Sequence, residues 1–99
     1  MKFEFHADFP SDVENSARFY DERVPGLGDD FTKEVWQAVQ GLKSNPELWR
    51  KVYRDIRSVR LKRFKEHSLR YRFIQKTSTI RILGVFHAKR HPDRDTDRT

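Results

Sequence analysis

Four residues in the C-terminal half have side chains suited to acid–base chemistry on a phosphodiester. Arg60 and Lys62 are two positions apart in a segment of alternating polarity, and His87 and Arg90 follow the last apolar run. An imidazole can take or give a proton near neutral pH, while guanidinium and ammonium groups stabilise a crowded phosphate. These residues are therefore the best catalytic candidates. The alternative for His87 is an ordinary surface histidine at the end of a strand.

Charge is distributed unevenly along the 99 residues. Residues 1–49 contain five Lys or Arg against ten Asp or Glu, a net charge of −5. Residues 50–99 contain sixteen against five, a net charge of +11, which gives +6 for the whole chain. A merely solvated surface usually intersperses both signs. The second half is thus expected to face a polyanion or an acidic protein.

Composition excludes several classes of site. The chain has no cysteine, so neither a disulfide framework nor a thiolate metal site is possible. His87 and His91 have a spacing that binds metals on a helix, but here the strand has just ended, and we expect no metal and no cofactor. The charged N-terminus is unlike a signal peptide, and no apolar run is long enough to span a membrane. We expect a cytoplasmic protein.

The elements that must position these residues are indicated by hydrophobic periodicity. Phe3 and Phe5 alternate with polar residues in a short N-terminal strand. Ser11 to Glu14 has the form of a capping box that would begin a first helix, and Pro25-Gly26 ends that helix. A second helix is predicted from about Gly28 to Asn45-Pro46, antiparallel to the first. Three strands follow, around residues 56–64, 68–74 and 79–87.

This order predicts an α+β fold of two layers: an N-terminal strand, an antiparallel helical hairpin, and a three-stranded antiparallel meander in one small sheet. Residues 1–90 are predicted to form a single domain. Residues 91–99 are rich in Asp and Arg and contain no apolar residue except Pro92, so they are predicted to form a flexible polar tail.

Over nearly its whole length the chain resembles the RelE/ParE superfamily of toxins from type II toxin–antitoxin systems. The resemblance lies in the order and spacing of short segments: Ala17-Arg18-Phe19-Tyr20, Pro25-Gly26-Leu27-Gly28-Asp29-Asp30-Phe31, Asn45-Pro46, Tyr53-Arg54-Asp55-Ile56-Arg57, Leu61-Lys62-Arg63-Phe64, Leu69-Arg70-Tyr71-Arg72-Phe73, and Ile82-Leu83-Gly84-Val85-Phe86-His87-Ala88-Lys89-Arg90-His91-Pro92. It implies a helical hairpin against a small twisted sheet, which agrees with the periodicity.

The resemblance also implies a cognate antitoxin with an acidic or amphipathic C-terminal segment. A basic sheet would attract such a segment, and apolar contacts would hold it. The candidate residues for binding the antitoxin or the target are Arg57, Arg70, Arg72, Trp36 and Trp49. Each has an ordinary alternative, because the arginines can pair within the fold and the tryptophans can belong to the core.

Two functional classes follow from the resemblance. RelE-like members are ribosome-dependent endoribonucleases that cleave mRNA without a metal, and ParE-like members inhibit DNA gyrase and cleave nothing. Arg90 matches a catalytic arginine of the nucleases, and Arg60 and Lys62 lie near their basic pair. However, Ser68 occupies the place of another arginine, and no tyrosine follows Arg90.

These departures, together with the Pro-Gly-Leu-Gly turn and the His-Ala-Lys-Arg-His-Pro ending, favour the ParE, or plasmid-stabilisation, side. We therefore expect a growth-inhibiting gyrase inhibitor neutralised by an antitoxin. The first alternative is a RelE-like mRNA endoribonuclease. The second is a non-toxic basic nucleic-acid-binding module, which charge alone would predict. The target, the identity and stoichiometry of the antitoxin, and the toxicity of this chain stay open at this point.

Overall fold

The computed structural model describes residues 1–98. Its strands are Lys2–Phe5 (β1), Lys51–Tyr53 (β2), Ile56–Arg60 (β3), His67–Ile74 (β4) and Thr79–His87 (β5). Its α-helices are Phe9–Asp21 (α1) and Leu27–Gly41 (α2). Two 3₁₀ helices, Gln75–Thr77 and Pro92–Arg98, complete the chain, and the second is called the C-terminal 3₁₀ helix below. Within residues 1–98, neither α-helix has the length and apolar character to cross a membrane.

The strands form one sheet in the order β1-β5-β4-β3-β2, which confirms the predicted α+β fold. The three predicted strands are an antiparallel meander, β3-β4-β5, and β1 lies parallel to β5. The sheet also contains β2, which pairs antiparallel with β3 and was not predicted. A three-residue strand with an irregular register is too short to show a periodicity of two.

The helical hairpin is confirmed, but α1 starts earlier than predicted, and α2 ends at Gly41 instead of reaching Asn45-Pro46. Helix α1 begins at Phe9 rather than after Ser11, and the predicted capping box is wrong. The Ser11 hydroxyl donates instead to the Asp8 carbonyl, one turn earlier. Pro10 is compatible with this start because its missing N–H is one that the first turn leaves unused. Gly26 has a φ of 89° at the turn between the helices, a conformation that glycine adopts without strain.

One face of the sheet packs against both helices and encloses the main core. Alternation along β4 places Leu69 and Tyr71 on this helix-facing side and Ser68 and Arg70 on the other, which we call the second face. The main core residues are Phe9, Val13, Tyr20, Phe31, Val35, Val39, Leu42, Val59, Leu61, Phe64, Leu69, Tyr71, Ile80, Ile82 and Val85.

A β-bulge in the β4–β5 pair reverses the alternation along β5. Arg70 pairs with Gly84 and Tyr71 with Ile82, so Leu83 is the extra residue. Ile82 and Val85 consequently both belong to the main core, while Leu83 and Phe86 join Ile56 in a small cluster on the second face. The same shift carries the end of the strand, including His87, to the helix-facing side.

The C-terminal 3₁₀ helix covers part of the second face. Its Asp95 is completely buried, and Arg98 is largely buried beside Asp12 of α1. For residues 92–98 this placement differs from the flexible polar tail expected for residues 91–99, and Thr99 lies outside the described residues. The reason is that buried charges are tolerated when opposite charges pair with them, an arrangement that hydrophobic periodicity cannot indicate.

Candidate functional site

A basic cleft of about 530 Å³ lies on the second face of the sheet. Its floor is formed by two cross-strand pairs, Ser58 opposite Arg70 and Arg60 opposite Ser68. The residues lining it are Trp49, Arg50, Val52, Ser58, Arg60, Lys65, His67, Ser68, Arg70, Ala88 and Pro92. None of them is acidic, so the cleft is a site of positive potential suited to an anion.

Of the four candidate catalytic residues, only Arg60 lines the basic cleft. Lys62, which follows β3, lines a different groove, between α2 and β3. The Arg90 Nε lies 3.2 Å from a carboxylate oxygen of Asp95, in an ion pair. The imidazole of His87 lies 5.6 Å from that of His67, centroid to centroid, on the helix-facing side. The structure therefore does not gather the four side chains in one cleft.

His67 and His87 belong to an aromatic cluster beneath the helices. The Tyr20 hydroxyl and His67 Nδ1 are 2.8 Å apart, and both side chains are buried. Burial raises the pKa of Tyr20 to about 12, with a smaller contribution from the charge of Glu66. Burial also lowers the pKa of His67, and the neighbouring His87 adds to that effect. These shifts keep the pair uncharged near neutral pH, as expected for a structural hydrogen bond within the core.

The three candidate binding arginines all have partners within the fold. Arg57 donates to the backbone carbonyls of Glu47 and Trp49, at 3.0 and 2.7 Å, and so holds the loop before β2. The guanidinium of Arg72 contacts the Asp55 carboxylate at 2.8 and 2.9 Å. Their binding of a partner protein stays a prediction.

Arg70, the third of these arginines, is buried in an ion cluster with Asp95 and Arg90. Its Nη1 donates to Asp95 Oδ2 at 3.0 Å, and its Nη2 donates to the backbone carbonyl of Arg90 at 2.9 Å. The Arg90–Asp95 contact is close but not aligned as a hydrogen bond. Arg70, Arg90 and Arg98 also lie 4.3 to 5.6 Å from the ring of Phe86, as cation–π contacts. The cluster fixes the C-terminal 3₁₀ helix to the sheet.

The two tryptophans differ in exposure. Trp49 is half-buried against the main core and lines both the basic cleft and the groove beside α2. Trp36 is 44% exposed on α2, with its ring 5.9 Å from that of Phe5 and 5.6 Å from that of Phe9. Trp36 therefore offers aromatic surface to a partner, while Trp49 connects two concave surfaces.

The groove beside α2 has a volume of about 480 Å³ and an apolar floor with a basic rim. Ala38, Val59 and Leu61 lie along it, and Leu48 at its edge is 66% exposed. Arg60, Lys62 and Arg63 lie at the rim, together with one carboxylate, Glu34, which accepts from the Arg63 backbone N–H. A groove of this kind suits an amphipathic segment with acidic side chains.

Sequence reasoning missed several residues of these surfaces. Asp95 lies in a segment whose composition indicates solvation, and only the fold brings it to Arg70. Arg50, Lys65 and Leu48 lie in loops or just outside strands, where no periodicity identifies a face. Within residues 1–98, no group of three or more His, Asp or Glu side chains is placed to hold a metal ion.

Comparison with known proteins identifies the class to which the chain belongs. A family model described as the ParE toxin of the type II toxin–antitoxin system, parDE, matches residues 3–92. The chain therefore belongs to the ParE toxin family of type II toxin–antitoxin systems.

A solved structure described as the chromosomal ParDE TA system from P. aeruginosa has the same fold, with a TM-score of 0.74 at 17% sequence identity. The match covers 90% of this chain and 97% of that one. No curated protein matches the chain.

Proposed function

We propose that this protein is a toxin that arrests growth by inhibiting DNA gyrase in the cytoplasm, and that a cognate antitoxin neutralises it. The observation that carries the proposal is the match of residues 3–92 to the ParE toxin family. Inhibition by contact requires a stable surface and no reacting groups.

The geometry favours inhibition by contact over RNA cleavage. A ribonuclease needs its proton donor or acceptor beside the cations that stabilise the phosphate. Here His87 packs against His67 on the helix-facing side, whereas Arg60 lies on the second face and Arg90 is paired with Asp95. His87, the imidazole on which the nuclease alternative depends, is therefore separated from these cations, and His67, which does line the basic cleft, is bound to the Tyr20 hydroxyl.

The test is to express the toxin without an antitoxin and to follow its effects on DNA and on mRNA. We expect purified toxin to reduce gyrase supercoiling of relaxed plasmid in a dose-dependent manner, while transcripts in arrested cells stay whole. Heat-denatured toxin at the same concentration is the control for non-specific binding of a basic protein to DNA. New transcript 5′-ends inside translated codons, with supercoiling unaffected, would refute gyrase inhibition and establish the nuclease.

We further propose that the antitoxin segment occupies the groove beside α2. Leu48 would contact its apolar side chains, and Lys62, which has no carboxylate partner within residues 1–98, would attract its carboxylates. Arg63 is already bound to Asp30 at 3.4 Å and contributes less. The groove is continuous with Trp49, a residue type that often dominates binding energy when desolvated.

A substitution at Leu48 tests this placement. We expect Leu48→Glu to weaken antitoxin binding by about tenfold or more, since it replaces an apolar contact with a like charge facing an acidic segment. Val24→Glu is the matched control, because Val24 is a comparably exposed aliphatic residue outside the groove. Calorimetric titration with the antitoxin encoded beside the toxin gene measures the affinity of both variants. Equal affinities of the two variants would exclude the groove as the binding site.

A further inference from the structure

The basic cleft contains cations that no carboxylate among the described residues neutralises. Most arginines near the sheet are tied to carboxylates, among them Arg70, Arg72 and Arg81. In contrast, Arg50, Arg60 and Lys65 have no carboxylate partner within residues 1–98, and all three line this cleft. Like charges repel one another, so an anion bound between these cations would be attracted by all of them.

The floor of the cleft provides hydroxyl groups between these cations. Ser68 is about nine-tenths buried, and its Oγ has no hydrogen-bond partner among the described residues. Its cross-strand neighbour on the same face is Arg60. Buried polar atoms are nearly always satisfied, and an acceptor bound in the cleft would satisfy this hydroxyl. Ser58, opposite Arg70, adds a second hydroxyl.

We infer that the basic cleft binds the phosphate group of a nucleotide. A phosphate has several acceptor oxygens and carries more charge than a carboxylate, which matches three unpaired cations and two hydroxyls. Trp49 in the same cleft provides an aromatic surface for a base. The volume of about 530 Å³ lies within the range of small-molecule sites.

Two sources share this chemistry: a free nucleotide and a single-stranded nucleic acid. The inference goes beyond the proposed gyrase inhibition, which requires no nucleotide. Its failure would leave that proposal intact.

The test uses the intact protein with Trp36→Phe, which leaves Trp49 as the single tryptophan. Inorganic phosphate, adenosine 5′-monophosphate and a short oligothymidylate are titrated while Trp49 fluorescence is recorded. We expect saturable binding that weakens as salt rises, with the nucleotide bound more tightly than phosphate because its base stacks on Trp49. A tighter complex with the oligothymidylate than with the nucleotide identifies a strand as the ligand. Equal affinities identify a free nucleotide.

Substitutions of cleft residues show whether the nucleotide binds in the basic cleft. Arg60→Gln and Lys65→Gln should each weaken binding by about tenfold, since each removes a charge-assisted hydrogen bond. Lys43→Gln is the matched control, because Lys43 is exposed just beyond α2 and lies outside the cleft. This variant should bind the ligand with the affinity of the parent protein. Ser68→Ala should weaken binding without lowering the melting temperature, because it removes a hydroxyl that has no partner in the protein.

Three results would overturn the inference: no saturable change with any of the probes, equal losses for Arg60→Gln and Lys43→Gln, or displacement of the nucleotide by an oligoglutamate peptide at the same concentration. The last would show that the cleft recognises carboxylates rather than phosphate.

Discussion

Replacing Asp95 with alanine tests how the C-terminal 3₁₀ helix is held to the sheet. The Asp95 side chain is completely buried, and its two oxygens lie 3.0 Å from Arg70 Nη1 and 3.2 Å from Arg90 Nε. The Arg70 side chain is only 4% exposed. Asp95→Ala would leave the Arg70 guanidinium buried without its counter-ion, an arrangement that is costly because the charge has lost both water and partner.

The expected loss is large for a chain of this size. Removing one partner of a buried ion pair costs about 3–5 kcal/mol of the free energy of unfolding. In a domain of about 100 residues, each kcal/mol lost from the free energy of unfolding lowers the melting temperature by roughly 4–8 °C. The melting temperature should therefore fall by at least about 12 °C. Arg90 is one-third exposed and contributes less to this loss, because water already screens it.

Urea unfolding, followed by circular dichroism, measures the effect. Asp97→Ala is the control within the same 3₁₀ helix, because Asp97 is exposed, and it should change stability by no more than about 0.5 kcal/mol. The double variant Arg70→Met/Asp95→Leu should recover most of the loss, since apolar side chains often replace a buried ion pair without penalty. An exposed ion pair contributes up to about 1 kcal/mol to the free energy of unfolding. If Asp95→Ala lowers that free energy by less than this, the buried ion cluster is refuted.

Two further predictions concern the second face and the aromatic cluster. A Cβ added at Gly84 would lie 2.6 Å from Arg98 Nη1, so Gly84→Ala should lower the free energy of unfolding by about 1–3 kcal/mol through overpacking. Gly41→Ala, where a Cβ meets nothing within 4 Å, should not lower it, and equal losses would contradict the steric argument. The pKa of His67 is lowered by burial, so the unfolded chain binds the proton more readily, and stability should fall as pH drops below the ordinary value of 6.5. In urea titrations across that range, the double variant Tyr20→Phe/His67→Leu should lose this part of the pH slope; an unchanged slope would assign it to other groups.

Much of the fold was predictable because it depends on local patterns. Pro25-Gly26 indicated the turn of the helical hairpin, and the alternation through Leu69, Tyr71 and Phe73 indicated the strand that became the centre of the sheet. The errors occurred where local rules compete. Ser11 fits a capping box, yet Pro10 also fits the first turn of a helix, and the earlier start at Phe9 buries that aromatic ring in the main core.

The candidate site was predicted less well, because its members were chosen by residue type and position along strands. Regular alternation along β5 would place His87 on the second face, together with Arg60. A single extra residue, Leu83, reverses the alternation and turns His87 toward His67. Glycine in a strand often accompanies a bulge, so Gly84 was the one signal present in the sequence.

The sequence by itself determined the class of fold, the basic second half and the membership in a toxin superfamily, since each depends on composition or on the order of short segments. Tertiary structure alone decided which cations are left to bind a ligand. Arg70 and Arg90 form ion pairs with Asp95, which lies twenty-five and five residues further along the chain, respectively. In contrast, Arg50, Arg60 and Lys65 line a cleft that no carboxylate lines. The physical reason is that ion pairing and burial depend on distances in space, and the bulge in β5 and the docking of the C-terminal 3₁₀ helix set those distances.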